Sequence, residues 1–260
     1  MTTAWGAHAP DAKQRLLIGL ARRSVFGRGV FRRRMAGLIG GPVDVELGGC
    51  RYRLRLDNSA PARALLLHAR YNIRELAFLA DGLAPGDCFV DIGCNIGTYS
   101  LPMALRVGAT GQVLSIDANP AMIEAIAFNA AASSMPQLRP MHVAVGDREA
   151  EMALDLSAND MGGVAVAEGA GGIPMRPLLA ILQDAGITRL AALKNDIEGH
   201  EDQALLPFFA DAPDSLLPRR MVVELDRGIH ANTPGCLAAF AARGYRRIDQ
   251  THSNSMWALD

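Results

Sequence analysis

The sequence predicts an α/β fold, a mostly parallel sheet with helices on both faces, from three observations. First, the stretch from Cys88 to Ser100 reads as a buried strand (Phe89 to Ile92), a tight glycine turn (Gly93 to Gly97) and a helix starting near Thr98. Second, short apolar runs and helical spacings alternate regularly after it, and parallel strands joined by helical crossovers are the arrangement such alternation favours. Third, residues 245–249 and 255–259 pair as a closing antiparallel hairpin.

The elements follow in order. Residues 11–40 are helical in pattern, with Leu16, Leu17, Leu20, Val25, Phe26 and Val30 apolar, while Gly27, Gly29 and Gly37 weaken any long helix. Residues 43–47 and 50–56 alternate apolar and polar around Gly48-Gly49, which predicts a β-hairpin. One or two helices cover 61–80, and residues 83–87 turn into the first core strand. The chain thus divides into a basic helical segment with a hairpin (1–60) and a larger domain (61–260). After the glycine turn come a helix to about Val107, a strand over 112–117, and a helix opened by Asn119-Pro120, where a proline's missing N–H is harmless. A third strand is expected near 141–145 and an extra one at 151–156. Residues 157–173 are Gly- and Ala-rich without a period and predict a mobile loop, a lid candidate. A helix over 177–184, a strand over 189–194, a helix over 199–209, a strand over 221–225 and a helix over 235–242 complete the alternation.

Composition bounds the function classes. A chain of 260 residues, 50% hydrophobic and 20% charged, suits one α/β domain with a sizeable core and a small appendage. The net charge of −1 supplies no global field for nucleic acid, so none is expected as a partner. The four cysteines (Cys50, Cys88, Cys94, Cys236) form no C-x-x-C pair and read as buried free thiols of a reducing compartment. The start lacks a signal-peptide pattern and no apolar run approaches membrane-spanning length, so the expectation is a cytoplasmic protein. Arg22, Arg23, Arg28, Arg32, Arg33 and Arg34 make the first segment strongly basic. That segment reads either as an electrostatic foot for an anionic membrane or phosphorylated acceptor, or as a solvated arm packed on the main domain or a second subunit.

The glycine turn suits a nucleotide-like ligand, because Gly93 and Gly97 carry no Cβ and a new helix turns free N–H groups toward it. The dinucleotide fingerprint needs G-x-G-x-x-G, whereas this turn offers G-x-x-x-G behind Asp91. A carboxylate at the strand end disfavours a pyrophosphate and suits an ammonium or a sulfonium; S-adenosylmethionine (SAM) has both. An NAD(P)-dependent oxidoreductase is the rival reading.

In open α/β sheets ligands sit outside the carboxyl ends of the strands. Those ends are acidic here: Asp91, Asp117, Asp147, then Asp196 with Glu198, and Glu224. Asp117 lies 26 residues past Asp91 and can accept both hydroxyls of a ribose, a role compatible with capping the helix at Pro120. Gly146-Asp147 is positioned to meet an exocyclic adenine amine, although turn chemistry alone also explains it. In Leu193-Lys194-Asn195-Asp196-Ile197-Glu198-Gly199-His200-Glu201, helix capping accounts for Glu201 and Asp202 but less well for the crowding of Asp196, Glu198 and His200.

The blocks VDIGCNIGTYS, IDANP, HVAVGD and LKNDIEGHE stand in the order and spacing of the FkbM-type SAM-dependent methyltransferases, which the chain resembles over residues 70–225. Family members read V-D-(I/V)-G-A-N-I-G-Y-Y-S, then E-P-N-P, then L-K-I-D-V-E-G-H-E, the last block being the most specific. This chain departs at Cys94 for Ala, Asp117-Ala118 for Glu-Pro, and Asn195 for an apolar residue. The resemblance implies a Rossmann-like seven-stranded methyltransferase sheet. It implies that Asp91, Gly93, Asn95, Gly97 and Thr98 line the methionine end of SAM, that Asp117 holds the ribose, that Ala118 borders the adenine and that Asp147 meets its amine. Lys194, Asp196, Glu198 and His200 match the block facing the transferable methyl. The implied reaction is methylation of a hydroxyl on a sugar, glycan or polyketide-like metabolite.

An alcohol needs alignment and a base. Asp196 or His200 is expected to take the proton, with Glu198 orienting the acceptor or the base. Mg²⁺ held by strand-end carboxylates, Asp196 among them, is a second way to acidify the hydroxyl. An N-methyl acceptor and a non-catalytic SAM-binding scaffold stay open. The acceptor itself has no readable code in 1–70, 157–173 or 226–235; His230 in the last stretch has either a pocket or a surface role.

Overall fold

A computed structural model describes residues 3–23, 30–57, 59–154, 166–169, 171–224 and 234–260. Its helices are α1 (Ala12–Arg23), α2 (Val30–Ile39), α3 (Ala60–Leu67), α4 (Ile73–Asp81), α5 (Ser100–Val107), α6 (Pro120–Ala132), α7 (Leu178–Asp184), α8 (Glu201–Asp211) and α9 (Pro234–Ala242). Its strands are β1 (Pro42–Leu47), β2 (Cys50–Arg55), β3 (Cys88–Ile92), β4 (Gln112–Asp117), β5 (Leu138–His142), β6 (Ala144–Gly146), β7 (Ala150–Leu154), β8 (Val166–Glu168), β9 (Ile173–Pro177), β10 (Ala192–Asn195), β11 (Arg220–Glu224), β12 (Arg246–Gln250) and β13 (Asn254–Ala258).

Seven strands form the central sheet in the order β12-β13-β11-β10-β3-β4-β5. Every pairing from β11 to β5 is parallel, and β13 runs antiparallel to both β11 and β12. The strands from β11 to β4 are buried on both faces, which is why they read as continuous apolar runs. Phe89, Val113, Ala192, Val222 and Met256 point into one core layer, shared with α5, α6 and the N-terminal elements. Val90, Leu114, Leu193, Met221 and Trp257 point into the other, covered by α7, α8 and α9. The period-two alternation of side chains along a strand produces the two layers.

The N-terminal hairpin is seated by polar side chains of α6. Asn129 Oδ1 accepts from the Arg53 N–H at 2.8 Å and Ser133 Oγ from the Arg51 N–H at 2.8 Å, so α6 satisfies an open edge of β2.

The third core strand departs from expectation. It starts earlier, at Leu138, and breaks at Val143. Pro140 is tolerated because β5 is a sheet edge. Residues 144–146 then leave for a small second sheet, ordered β6-β9-β7-β8. A Cβ on Gly146 would lie 2.4 Å from Met175 Sδ, so the Met175 side chain of β9 packs into the room this glycine leaves on β6. The loop expected at 157–173 is also partly strand: β8 pairs with β7, and a Cβ on Gly171 would lie 2.3 Å from Ala153 Cα. The glycines there serve close backbone approach, which composition alone does not distinguish from a loop; residues 155–165 and 170 lie outside the described ones. The strand expected at 189–194 begins at Ala192.

Phe240 of α9 is fully buried against Phe209 (centroids 5.0 Å apart) and Trp257 of β13 (5.2 Å). Phe240→Ala is expected to cost about 3–5 kcal/mol of stability, read as a lower urea midpoint, because the fully buried ring is lost and a cavity is left between Phe209 and Trp257.

Candidate active site

The chain runs β3, β4, β5 outward in one direction and then crosses to β10 and β11 on the other side of β3. The crevice at such a reversal is where an α/β sheet binds its ligand. A cavity of about 410 Å³ opens there. Gly93, Asn95 and Thr98 line it from the turn after β3, Asp117 and Ala118 from the end of β4, and Asp196, Glu198 and His200 from the segment after β10.

Three expected residues do not reach this wall. Asp91 is fully buried behind it, its Oδ2 accepting from Ser100 Oγ at 2.5 Å, and Ser100 in turn accepts from Ser115 Oγ at 2.8 Å. Burial pushes the Asp91 carboxyl above its ordinary value, against the opposing pull of the Lys194 charge and the Ser100 hydroxyl. Gly97, with φ +89°, is pressed by Leu101 Cδ1, which a Cβ would approach to 2.3 Å. Asp147 is exposed and pairs with Arg148 at 2.9 Å; the wall beside Ala118 is made instead by Val143, Ala144 and Val145.

The two turn glycines also serve the packing of the chain itself. At Gly93, φ is +73° and a Cβ would sit 1.8 Å from the Asp196 carbonyl oxygen. The room that each glycine frees is filled by the chain itself, so the turn after β3 and the segment after β10 interlock. Asp196 N–H donates to Ile92 O at 3.1 Å and Lys194 Nζ to Gly93 O at 3.2 Å, fixing that contact.

Asp117 is held by backbone donors on both carboxylate oxygens, Asn95 N–H on Oδ2 and Asn119 N–H on Oδ1, each at 2.8 Å. Asn119, not Asp117, caps α6, accepting from Ala121 N–H at 3.0 Å. Each Asp117 oxygen keeps lone-pair capacity for a ligand. Burial raises the Asp117 pKa to about 6, more than the two amide bonds lower it.

The acids around β10 are organised by one cation. Lys194 is 2% exposed, and its Nζ lies 2.8 Å from Asp196 Oδ2. Burial alone would lower the lysine's pKa, yet Asp196 and Asp91 together raise it above its ordinary value. Burial likewise works against ionising Asp196, but the Lys194 charge and a hydrogen bond with Glu224 hold its pKa below the usual one. Glu224 is the opposite case: burial, then the Asp196 charge and their hydrogen bond, push it up to about 10. Two neighbouring carboxyls driven apart in this way share one proton, with Asp196 ionised and Glu224 neutral near pH 7.

The segment after Asp196 turns Glu198 outward while Ile197 packs on the core. Glu198 is left-handed (φ +55°), Gly199 follows at φ +98°, and buried Glu201 accepts from Ile197 N–H at 3.0 Å and Gly199 N–H at 3.3 Å. His200 opens α8 with Nδ1 2.9 Å from Gln203 Oε1. Asp196, Glu198 and Glu224 can bring one carboxylate oxygen each within 4.8 Å of the others.

Sequence reasoning missed part of the wall: Tyr71, Asn72, Tyr99, Ser253 and Asn254. Tyr99 is 3% exposed, its hydroxyl lacks a hydrogen-bond partner among the described residues, and Lys194 Nζ stands 5.2 Å from its ring centroid. Its position one residue past Thr98 was a usable signal. Ser253 and Asn254 had none, because only β13's insertion beside β11 brings them near. Glu75 of α4 fastens that hairpin, accepting from Thr251 Oγ1 at 2.7 Å and Asn254 Nδ2 at 3.3 Å. His230 lies outside the described residues.

The shared proton has a measurable signature. Below its ordinary value of 4.5, Glu224 is protonated in both folded and unfolded chains; between there and about 10 only the unfolded chain ionises, so this group erodes stability as pH rises. Glu224→Gln keeps a donor toward Asp196 and removes the titration. Its stability relative to the parent is expected to increase progressively from about pH 5 to pH 9 in urea unfolding.

Comparison with known proteins adds the family. The model of the methyltransferase FkbM domain matches residues 91–246, more than half of the chain. A 2-phytyl-1,4-naphtoquinone methyltransferase of Nostoc sp. is 39% identical over 64 residues, 25% of this chain and 28% of that protein. The 23S rRNA (uracil-C(5))-methyltransferase RlmD of Acinetobacter baumannii is 36% identical over 55 residues, 21% of this chain and 12% of that protein. The chain therefore spans about a quarter or less of the lengths of these curated relatives. Among solved structures, M. jannaschii TYW2 in complex with AdoMet aligns over 92% of this chain and 90% of that one, with 12% identity and a TM-score of 0.44. On the strength of the family match, over the segment that builds the turn after β3 and the acids after β10, the chain belongs to the FkbM methyltransferase domain family.

Proposed function

We propose that the chain is a SAM-dependent methyltransferase acting on a hydroxyl oxygen of a sugar, glycan or polyketide-like metabolite. The observation that carries this reading is Asp196: an ionised carboxylate, paired with Lys194 at 2.8 Å and with neutral Glu224, opening on the cavity with about a third of its side chain accessible (32%). Family membership supports the methyl donor. The residues fit SAM. Asp117 has spare acceptor capacity on both oxygens for a ribose, Gly93, Asn95 and Thr98 offer a wall for the methionine end, and Ala118 with Val143 offers an apolar one for the base.

SAM supplies a methyl group on a sulfonium, which leaves with the electron pair as a neutral thioether. This chain must then align the acceptor oxygen and remove its proton. Asp196 takes that proton, and stays available across neutral pH because Lys194 keeps it ionised. Glu198 and His200 line the same cavity and orient the acceptor. An amine acceptor needs less help from a base, so the Lys194–Asp196–Glu224 arrangement favours oxygen.

The three-carboxylate group at Asp196, Glu198 and Glu224 carries a second reading, a site for Mg²⁺. Lys194 already supplies the counter-charge at Asp196, and Glu224 holds a proton that a metal would have to displace. Turnover is therefore expected to survive EDTA; loss in EDTA with recovery in Mg²⁺ would give the role to the metal.

Incubation with isotope-labelled SAM and an extract of metabolites and glycans, followed by mass spectrometry, is expected to yield a labelled O-methyl product. Asp196→Asn is expected to keep SAM affinity within about threefold while cutting turnover at least about a hundredfold. Equal turnover would remove the base assignment. SAM affinity, read by calorimetry, is expected to fall as pH drops through about 6, where Asp117 takes up a proton and loses acceptor capacity for the ribose.

A further inference from the structure

The N-terminal helices carry a surface that the cavity does not use. Residues 12–43 contain Lys13, Arg15, Arg22, Arg23, Arg28, Arg32, Arg33 and Arg34 and no acidic residue, in a chain whose net charge is −1. The inner side of α1 and α2 is spent on the core: Ala21, Met35, Ala36 and Ile39 are buried, and Arg22 turns inward to donate to Leu66 O of α3 at 3.0 Å. The outer side is not. Leu16 is 63% exposed, Leu20 54%, Val30 68% and Leu38 58%. Among the described residues, Phe31 brings the exposed large hydrophobics on these two helices to five of nine.

The spacing puts these residues in register. On α1, Lys13, Leu16, Leu20 and Arg23 follow one another at three- and four-residue steps, a single stripe of a helix. On α2, Val30, Arg34 and Leu38 do the same. Each stripe mixes exposed aliphatic groups with cations. That chemistry matches the boundary between anionic headgroups and acyl chains, where leucines insert and arginines stay at the phosphates.

We propose that the outer face of α1 and α2 docks on an anionic lipid bilayer. Two other occupants fit less well. A second copy of the chain meeting this face symmetrically would set arginines against arginines. Nucleic acid would satisfy the cations but leave Leu16, Leu20, Val30 and Leu38 in water, since phosphate backbones offer no apolar counterpart. Helix α3, against which α1 and α2 pack, begins at Ala60-Pro61 on the cavity wall, so the docked face and the cavity are joined by one short helix.

The test is co-sedimentation of the full chain with vesicles of phosphatidylcholine alone and of phosphatidylglycerol mixed with phosphatidylcholine. Binding is expected to the anionic vesicles only and to fall with added salt. Each basic residue near such a surface is worth about fivefold, so the double variant Arg33→Gln/Arg34→Gln is expected to lose roughly 25-fold in partitioning. Leu16→Gln/Leu20→Gln is expected to lose a comparable factor through the apolar contribution, with thermal stability kept in both variants because these side chains are exposed. Sedimentation with neither vesicle, equal binding to both, or variants that bind like the parent would overturn the proposal. So would concentration-dependent dimers that dissociate in the leucine variant without vesicle binding, which would assign the face to self-association.

Discussion

The buried Lys194 ammonium is the charge on which the site depends. Three strand ends deliver carboxyls to one region of low dielectric, and the Lys194 charge favours the ionised form of Asp196 while opposing the burial that raises the Asp91 pKa. Lys194 resolves the conflict by geometry. Its stem lies in the middle of β10, between β3 and β11, so its head reaches Asp196, the Gly93 carbonyl and the face of Tyr99 together. Glu224 resolves it by keeping its proton. The outcome is one ionised carboxylate open to the cavity and a second held in reserve as a neutral donor.

The same residue couples chemistry to backbone. The bond from Lys194 to the Gly93 carbonyl ties the turn after β3 to the segment after β10, and Gly93 lets Asp196 lie against it at a distance that no side chain permits. A turn expected to make room for a ligand also makes room for the segment after β10, and Gly93 stands on the cavity wall at that contact. Asp117 extends the wall by the same device, using the Asn95 and Asn119 amides to hold a carboxylate that burial would otherwise neutralise.

Much of this was legible in the sequence, for definite physical reasons. Strands buried on both faces leave continuous apolar runs, so β3, β4 and β11 announce themselves, and the ends of β4 and β11 identify Asp117 and Glu224. Helix starts were legible where a cap was chemical, as at Asn119-Pro120. Legibility failed where glycine had two meanings. Gly146 and Gly171 permit strand contact, yet a Gly-rich run gives the same composition as a loop. It failed again where position depends on topology alone: Asn254 reaches the cavity because β13 inserts between β11 and β12. Asp147 was misleading for a related reason, since β6 turns away into the second sheet and carries that residue outward to Arg148.

The insertion of β13 sets an order of events in the life of the molecule. This strand follows all the others of its sheet along the chain, yet it takes an interior position and contributes Asn254 to the cavity wall and to the Glu75 clasp. During synthesis, β11 therefore waits with an unpaired edge until residues beyond 254 have cleared the ribosome, and the clasp across to α4 can close only then. A nascent chain can hold every acid of the site and still have no finished pocket, which separates the time at which the chemistry is encoded from the time at which it can be used.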